Sequence, residues 1–281
     1  MASDVSWGRD APAASLNKVR VAFGEGPARF VAVDGVDLTL GAGEFVALVG
    51  PTGCGKSSLL NLLAGLAPLD AGEVFVAGAP LAGLNAQAGY LFQQDALMPW
   101  KSARENVAVA LDVAGVAATE ARRRADEWLN RVGLGRFGAR YPHQLSGGQR
   151  KRVALAQVLI RDPAMLLMDE PFGPLDAQTR ALMGDLLLDL WTADRKAVLF
   201  VTHDLEEAIA LADRVIVMSA GPAARMVAEH RIDLPRPREI HDIRLDPRFH
   251  ALQGAIWRDL RDEVMQSWRQ AGEVEPSEPA R

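Results

Sequence analysis

The chain has 281 residues, of which 49% are apolar and 24% are charged, and its formal net charge is −5. Such a length and composition fit a soluble globular protein with a substantial core. The acidic balance leaves no broad basic face, so we expect no nucleic-acid partner. The sequence has no apolar run of the roughly 18 residues that span a bilayer, and its start lacks a secretory signal, so a cytoplasmic location is expected. A single cysteine, Cys54, excludes an internal disulfide and a multi-cysteine zinc site.

The first third of the chain alternates short apolar runs with glycine-rich turns, a pattern typical of strands. After a flexible leader over residues 1–15, the predicted strands are Val19–Phe23, Phe30–Val33, Val36–Leu40, Phe45–Val49, Glu73–Val76 and Gln87–Phe92. The run Phe45–Val49 is apolar throughout, as expected of a strand that is buried on both faces. A helix should follow from Gly55-Lys56 to about Ala64, and Gly65 should end it.

The middle of the chain, from about residue 97 to residue 160, has a helical pattern. Ala118–Val132 carries charged side chains on one side and apolar ones on another, which predicts an amphipathic helix, and a second helix is expected at Gln149–Ile160. After Pro163, the predicted elements are the strands Ala164–Met168, Ala197–Val201 and Arg214–Met218 and the helices Asp176–Trp191 and Leu205–Leu211. This order predicts an α/β core with an inserted helical subdomain.

A Pro- and Arg-rich link, Leu234–Arg238, leads to the C-terminal part of the chain. We expect an amphipathic helix around Phe249–Trp268 and a disordered end, Gly272–Arg281. The predicted division is therefore a main domain over residues 16–235 and a helical tail over residues 236–281.

A glycine-rich loop follows the strand Phe45–Val49 and fits the pattern G-x-x-x-x-G-K-[ST]. Its residues, with the next serine, are the candidate phosphate ligands Gly50, Pro51, Thr52, Gly53, Cys54, Gly55, Lys56, Ser57 and Ser58. Glycines let the backbone wrap around a phosphate, and the N–H groups of the loop and of the following helix supply positive potential. Lys56 adds a charge toward the β- and γ-phosphates, the Ser57 hydroxyl can bind Mg²⁺, and Cys54 is interpreted as a small residue that the loop tolerates. The loop predicts a site for ATP with Mg²⁺.

Two carboxylates, Asp169 and Glu170, follow the predicted strand Ala164–Met168. Ligands of α/β proteins bind at the carboxyl ends of the strands, so both side chains should face the nucleotide. Asp169 is expected to hold Mg²⁺ through water, because Mg²⁺ keeps part of its hydration shell. Glu170 is expected to orient and deprotonate the water that attacks the γ-phosphate. The pair predicts hydrolysis of ATP as well as its binding.

Two further motifs complete the pattern: Leu145–Gln149 spells LSGGQ, and Thr202-His203-Asp204 follows the strand Ala197–Val201. With the phosphate loop and the two carboxylates, they resemble the motifs of ATP-binding-cassette (ABC) ATPases, and the resemblance covers roughly Val19 to Met218. It implies an α/β P-loop NTPase core with an antiparallel β-subdomain, an inserted α-helical signature subdomain and a short C-terminal helical tail. It also implies that ATP is sandwiched in a head-to-tail homodimer.

By this resemblance the LSGGQ segment completes the nucleotide site of the other subunit. Ser146, Gly147, Gly148 and Gln149 would lie at the γ-phosphate held by the partner subunit's Lys56. The physical chemistry agrees, because a Ser-Gly-Gly turn before a helix is itself an anion site. Asp176 matches the loop through which the subunits meet, and it is also placed to cap a helix.

The resemblance also assigns roles around the attacking water. His203 would bond the γ-phosphate and steady the water, and Gln93 would sense Mg²⁺ and the same water. Gln94 makes the glutamine assignment slightly ambiguous, but Gln93 directly follows the apolar strand. Asp204, three residues before Glu207, is interpreted instead as the start of a capping box.

In ABC ATPases an aromatic side chain from the early strands stacks on adenine. Phe23 is our candidate here, Phe30 is its rival, and a place in the core is the alternative for Phe23. Stacking needs only a flat ring, so phenylalanine can serve in place of the commoner tyrosine.

Leu97, Met98 and Trp100 are large and apolar where a surface loop should be polar. In the family this region grips a short helix of the membrane-spanning subunit, so it predicts a docking surface, with burial inside the chain as the alternative. Together with the C-terminal tail, the segment is similar to an importer branch that serves nitrate, aliphatic sulfonates, taurine and related solutes.

The leading hypothesis is therefore the ATPase subunit of an ABC importer at the cytoplasmic face of the inner membrane. Its expected partners are a second copy, integral membrane permease subunits and, indirectly, a periplasmic or lipid-anchored solute-binding protein. The alternatives are an ABC exporter ATPase, a soluble ABC ATPase that acts on DNA or ribosomes, and a monomeric P-loop kinase or GTPase. LSGGQ and His203 argue against the last, and the single cassette with an acidic balance argues against the soluble ATPase. The transported solute cannot be read here, because this subunit should never touch it.

Overall fold

Two β-sheets form the framework of the computed structural model, which describes residues 12–271. The strands in chain order are β1 (Ala14–Phe23), β2 (Phe30–Leu40), β3 (Phe45–Val49), β4 (Ala71–Val76), β5 (Ala79–Pro80), β6 (Ala88–Leu91), β7 (Met165–Asp169), β8 (Ala197–Val201), β9 (Arg214–Met218) and β10 (Met226–Arg231). The smaller sheet is antiparallel and runs β2-β1-β4-β5. The larger sheet runs β10-β9-β3-β8-β7-β6, and only its edge strand β10 pairs antiparallel.

The parallel strands lie between two hydrophobic clusters. In β3, Phe45, Ala47 and Val49 belong to one cluster, whereas Val46 and Leu48 belong to the other. A strand that is covered on both faces needs apolar residues at every position, which is why its sequence pattern was easy to interpret. The parallel order also places the carboxyl ends of β3, β6, β7 and β8 along one edge of the sheet.

The structure corrects several strand predictions. β1 begins at Ala14 rather than at Val19, so Ala14 and Ser15, which we assigned to the flexible leader, pair with β2. Small side chains hid this start, although Ala14 is buried. β2 is one strand rather than two, because Gly35, with a φ of +67°, accommodates an irregular register instead of ending the strand. The rest of the predicted leader, residues 1–11, lies outside the described residues.

The helices surround these sheets. In chain order they are α1 (Lys56–Ala64), α2 (Ala103–Val113), α3 (Ala118–Arg131), α4 (Gly147–Leu159), α5 (Ala177–Ala193), α6 (Leu205–Leu211), α7 (Ile240–Ile243) and α8 (Pro247–Ala271). The sequence missed α7, β5 and β10, since short elements and charged edge strands carry no long apolar pattern. Among the described helices, none is long and apolar enough to cross a membrane. The predicted disordered end, Gly272–Arg281, lies outside the described residues.

Helices α2, α3 and α4 form a subdomain with an apolar core of its own. Its buried members include Val107, Leu111, Leu129, Val153 and Ile160. The amphipathic pattern of α3 is confirmed, because its buried residues are Ala121, Ala125 and Leu129. The subdomain is inserted in the chain between β6 and β7.

The segment after β9 packs on the core rather than extending from it. Phe249, Ile256 and Leu260 of α8 belong to the hydrophobic cluster that also contains Trp191 and Leu211. The link that we read as a simple connection is anchored by Arg238, whose buried guanidinium donates to the carbonyl oxygens of Ile209, Ala210, Ala212, Ile232 and Leu234.

Candidate nucleotide-binding site

The candidate site lies at the edge of the larger sheet where the parallel strands end. The phosphate loop follows β3, Gln93 follows β6, Asp169 ends β7 with Glu170 directly after it, and His203 follows β8. A cleft of about 370 Å³ opens there. It is lined by Phe23, Phe30, Ala32, Thr52, Gly53, Gly55, Lys56, Ser57, Ser58, Gln93, Asp169 and Glu170. This edge is where α/β proteins bind ligands.

The conformation of the phosphate loop depends on its glycines. Gly53 and Gly55 have φ values of +76° and +97°, which residues other than glycine rarely adopt. A Cβ on Gly55 would lie 2.6 Å from a methyl carbon of Val33, so β2 could not approach the loop as it does. α1 begins directly afterwards, and the N–H groups of its first turn lack acceptors within the helix. Several backbone N–H groups without an acceptor in the helix therefore lie close together where the loop meets α1.

Lys56 brings a buried positive charge to this loop. Its Nζ donates to the carbonyl oxygens of Gly50 and Pro51 at 2.9 and 2.8 Å. Cys54 is buried beside it, with Sγ 3.7 Å from the same nitrogen, and burial raises the pKa of the thiol. The thiol is thus neutral and small, which fits our interpretation of Cys54 as a small residue that the loop tolerates.

Ser57 and Asp169 meet at the base of the cleft. The Ser57 hydroxyl donates to Asp169 Oδ1 at 2.9 Å. Burial raises the pKa of Asp169, and the bond from Ser57 partly opposes this shift. Behind them the Tyr90 hydroxyl donates to Asn61 Oδ1 at 3.0 Å, and its pKa is raised by burial and by the charge of Asp169. A hydroxyl and a carboxylate oxygen in contact are the hard-oxygen donors that suit Mg²⁺.

Glu170 brings the three predicted catalytic side chains together. Its Oε2 lies 3.4 Å from Gln93 Nε2, which donates to it, and 3.3 Å from His203 Nδ1. Glu170 has a φ of +41°, a left-handed conformation that is unfavourable for a glutamate. Backbone strain of this kind costs about 1–3 kcal/mol and clusters at functional sites. The residue with this unusual backbone conformation is thus the one whose carboxylate contacts both Gln93 and His203.

The loop that carries His203 is fixed by its polar neighbours. Asp204 caps α6 by accepting bonds from the backbone N–H groups of Glu206 and Glu207. The expected capping box is only half correct, because the Glu207 carboxylate accepts from the Thr202 hydroxyl at 2.7 Å instead of reaching back to Asp204. Arg180 of α5 pairs with Asp204 at 2.9 Å. His203 is thus held between two anchored residues, while its own side chain stays exposed.

The LSGGQ residues are not among those that line the cleft. Ser146 caps α4: its hydroxyl accepts from the Gln149 N–H at 3.3 Å, and Gln149 Oε1 accepts from the Ser146 N–H at 3.0 Å. A Cβ on Gly148 would lie 2.6 Å from a methyl carbon of Thr179, so this glycine allows α4 to approach α5. The backbone N–H groups at Gly147 and Gly148 begin α4 and give it the donors of an anion site.

Asp176 caps α5 in the structure. Its carboxylate accepts from the backbone N–H and the hydroxyl of Thr179, and these bonds lower the pKa of Asp176. Asp176 therefore has the capping role that the sequence left open. Its contact with a second subunit remains a prediction. Gln94 lies outside the cleft lining, which favours Gln93.

The apolar loop after Gln93 divides into an inner and an outer part. Leu97 is half-buried and packs against two hydrophobic clusters, whereas Trp100 is 73% exposed. A groove of about 900 Å³ runs beside this loop, between the edge strand β6 and α4, and its lining includes Phe92, Gln94 and Ala96. Burial inside the chain therefore applies to Leu97, and docking of a partner at the exposed Trp100 remains a prediction.

Sequence reasoning missed three side chains around the site: Tyr90, Lys151 and Arg180. Lys151 stands in a basic run, Arg150–Arg152, that reads as a solvated helix face. It also lies four residues before Leu155, on the buried face of α4, and that spacing was the available signal. Arg180 and Tyr90 gave no comparable signal, because their partners are distant in the sequence.

The fold and this constellation define a P-loop protein that hydrolyses a nucleoside triphosphate. The sequence model of the family described as "ABC transporter" matches residues 33–173. A taurine import ATP-binding protein, TauB, of Chromobacterium violaceum is 46% identical over 233 residues, 82% of this chain and 89% of the relative. TauB of Burkholderia pseudomallei (strain 1710b) is 43% identical over 251 residues, 88% of this chain and 96% of the relative. The dimeric post-hydrolysis structure of the ATP-binding cassette MJ0796, bound to ADP and Pi, superposes with a TM-score of 0.69 at 32% identity, covering 79% of this chain and 100% of that one.

The chain therefore belongs to the ABC transporter family. It is an ATP-binding subunit and an ATPase, so the resemblance, the fold class and the enzyme class expected from the sequence are confirmed.

Proposed function

We propose that this chain is the ATP-hydrolysing subunit of an importer for a small solute of the taurine, aliphatic sulfonate or nitrate type. The observation that carries the hydrolytic role is the position of Glu170 Oε2, within 3.4 Å of both Gln93 Nε2 and His203 Nδ1. The importer role is supported by the two relatives named as taurine import ATP-binding proteins.

In this proposal ATP lies along the cleft. Its phosphates meet Lys56 and the N–H groups of the loop, and its adenine stacks on Phe23, with Phe30 as the alternative. Phe23 and Phe30 are cross-strand partners, both exposed and both lining the cleft. The triphosphate therefore points from the aromatic pair toward the carboxylates.

Mg²⁺ fits the donors at the base of the cleft. Ser57, Asp169 and Gln93 would hold it, since the 2.9 Å contact between Ser57 and Asp169 gathers hard oxygen donors next to the loop that binds the phosphates. When bound, the ion neutralises charge on the β- and γ-phosphate oxygens. Asp169 is half-buried, so its carboxylate faces little competition from bulk water.

Glu170 is the general base of the proposed reaction. It accepts a proton from the attacking water, while the Gln93 amide and the His203 imidazole hold that water in line with the γ-phosphate. His203 also bonds the γ-phosphate. Because the three side chains meet at one carboxylate oxygen, each restricts where the water can lie.

Two copies complete the catalytic unit in this proposal. The anion site at Ser146, Gly147, Gly148 and Gln149 lies apart from the chain's own cleft, as a segment that serves another subunit's nucleotide should. Asp176 lies at the contact between subunits. ATP bound between the two copies then stabilises the dimer, and hydrolysis lets the copies separate.

The permease is the proposed membrane partner. The groove beside β6, whose lining is partly polar and partly apolar, and the exposed Trp100 offer a docking surface close to the loop that carries Gln93, so a docked helix could sense the state of the site. The subunit would lie on the cytoplasmic face of the inner membrane, and a periplasmic or lipid-anchored solute-binding protein would deliver the solute to the permease.

The test is the Glu170→Gln variant, studied by size-exclusion chromatography with light scattering. We expect it to bind ATP with Mg²⁺, to hydrolyse almost none and to accumulate as a dimer only when ATP is present. Glu73→Gln, which removes an exposed carboxylate on β4, is the matched control and should turn over ATP like the wild type. A substantial ATPase rate in Glu170→Gln would remove Glu170 from the role of base.

The importer role needs a separate measurement. In a complex purified with its permease, ATP hydrolysis should rise when a solute-loaded binding protein is added from the other side of the membrane. An exporter ATPase would instead respond to a solute presented on its own side, and would co-purify with no binding protein.

A further inference from the structure

Lys151 is a buried cation beside the candidate site. It lies in α4, five positions after Ser146, and only 2% of its surface is exposed. A lysine at such a depth needs partners for its ammonium group, because an unpaired buried charge is strongly unfavourable. Its partners therefore show what the charge is used for.

The ammonium binds the loop that carries Gln93. Its Nζ donates to the carbonyl oxygen of Gln93 at 2.6 Å and to that of Phe92 at 3.1 Å, and it lies 3.1 Å from Asp95 Oδ1. Two of the three donors of the group thus hold backbone atoms rather than the carboxylate. An ion pair alone would require only Asp95.

A second residue of α4 joins the same loop to the LSGGQ segment. Arg150 Nε donates to Asp95 Oδ2 at 3.1 Å, and its Nη1 donates to the carbonyl oxygen of Leu145 at 2.8 Å. Asp95 is therefore held by two basic residues of the first turns of α4, Arg150 and Lys151. The loop after β6 and the first turns of α4 form one hydrogen-bonded unit.

The side chain of Gln93 extends from this unit to the catalytic base. While Lys151 holds its carbonyl oxygen, its Nε2 donates to Glu170 Oε2 at 3.4 Å. We propose that Lys151 is a positioning residue for ATP hydrolysis, which acts by fixing the backbone of Gln93 and hence the reach of the Gln93 amide to Glu170 and the attacking water. The proposal rests on the catalytic role of Gln93 in the proposed function.

The position of Lys151 in α4 also connects Gln93 to the LSGGQ segment. α4 begins at the anion site of Ser146, and its fifth residue, Lys151, donates to the backbone carbonyl oxygen of Gln93. A shift of α4 would therefore move Gln93 directly, because no flexible segment lies between them. Misplacement of a catalytic group by about 1 Å can reduce a rate on the order of a hundredfold. Loss of the hydrogen bonds from Lys151 should therefore reduce the turnover of ATP. ATP binding should stay unchanged, because it depends on Lys56 and the phosphate loop.

The experiment compares kcat for ATP and the affinity for a fluorescent ATP analogue in the full-length chain. Lys151→Met should reduce kcat about tenfold with an affinity within about twofold of the wild type. Lys151→Arg keeps a cation with several donors and should recover most of the rate. Asp95→Asn, which leaves both carbonyl bonds in place, is the control for the ion pair and should have a smaller effect than Lys151→Met.

A double-mutant cycle with Gln93→Ala tests the route of action. If Lys151 acts through Gln93, Lys151→Met should cause no further loss of kcat in the Gln93→Ala background. Additive losses, or a parallel fall in melting temperature that explains the loss of rate, would show a structural role and overturn the inference. Lys151→Gln, whose amide can still donate one bond, replaces the methionine variant if that variant does not fold.

The outcome also separates this inference from the proposed function. If Gln93→Ala leaves kcat unchanged, the catalytic assignment of Gln93 is wrong, and the role of Lys151 falls with it. If Gln93→Ala slows turnover and Lys151→Met does not, the site stands as proposed and only the positioning role is rejected.

Discussion

His203 Nδ1 lies 3.3 Å from Glu170 Oε2, although the two residues follow different strands of the sheet. The parallel pairing of β7 with β8 places the two strand ends side by side. The carboxylate is three-quarters shielded from solvent, whereas the imidazole is mostly exposed. In the proposed function the partly shielded carboxylate is the base, and the exposed histidine is free to contact the γ-phosphate.

Replacement of His203 by alanine should reduce kcat by about 10²- to 10³-fold, the range expected when one polar stabiliser of the transition state is lost. The affinity for ATP should change little, since Lys56 and the loop N–H groups provide most of the phosphate binding. Single-turnover hydrolysis and equilibrium binding would measure the two quantities. His250→Ala, at an exposed position of α8, is the control and should behave as the wild type. An equal loss in both variants would count against a role for His203 in the reaction.

The motifs of this site could be predicted from the sequence because each is local. The phosphate loop is fixed by glycines within one short segment, and Asp169 and Glu170 follow directly from an apolar strand. The contact of Gln93 with Glu170 joins residues 77 positions apart, yet it too was foreseeable, since both follow strands of one parallel sheet.

Contacts that depend on tertiary packing were not predictable. Lys151 and Arg238 belong to residue types that are mostly exposed, yet the fold buries both, and only Lys151 had a helical spacing that indicated burial. Both side chains donate to backbone carbonyl oxygens, which every residue has. The sequence therefore contains no residue type that identifies their partners. The strand start at Ala14 was hidden for a related reason, because small side chains give little apolar signal.

The choice between Phe23 and Phe30 as the adenine platform can be decided by binding measurements. The residues face each other across β1 and β2, so the cleft alone does not separate them. We expect Phe23→Ala to raise the Kd for ATP about tenfold, the effect of losing about 1.4 kcal/mol of stacking and burial. Phe30→Ala serves as the matched variant and should have a smaller effect. The reverse order would make Phe30 the platform, and equal small effects would place adenine elsewhere.

Arg238 should contribute strongly to stability. Its guanidinium is buried, and burial lowers its pKa to about 10, but it donates to five carbonyl oxygens that close α6 and hold the C-terminal segment. Arg238→Met would leave these acceptors buried without a donor, and we expect a loss of about 3 kcal/mol in the free energy of unfolding. Chemical denaturation would measure it. Arg231→Met, at an exposed position of β10, should stay within about 0.5 kcal/mol of the wild type; a similar small change in Arg238→Met would show that water replaces the lost donors.

Glu207 should make stability depend on pH near neutrality. Burial raises its pKa to about 7, Asp204 adds to this rise, and the bond from Thr202 and the charge of Arg180 oppose it. Between the pKa of a glutamate in the unfolded chain, about 4.5, and the folded value near 7, the folded state holds a proton that the unfolded state has released. This contribution to stability is therefore complete below pH 4.5, and it is lost as the pH rises toward 7.

Glu207→Gln removes this titration and keeps an oxygen that can accept from the Thr202 hydroxyl. Relative to the wild type, the variant should gain up to about 3 kcal/mol of stability between pH 4.5 and 8, since a tenfold change in an acid dissociation constant corresponds to about 1.4 kcal/mol. Urea unfolding across that range would show the difference. Glu206→Gln removes the same charge from the preceding residue, whose side chain is 39% exposed, and should retain the pH dependence of the wild type. A constant difference between Glu207→Gln and the wild type across the range would mean that Glu207 stays ionised in the folded protein, with Arg180 outweighing the effect of burial.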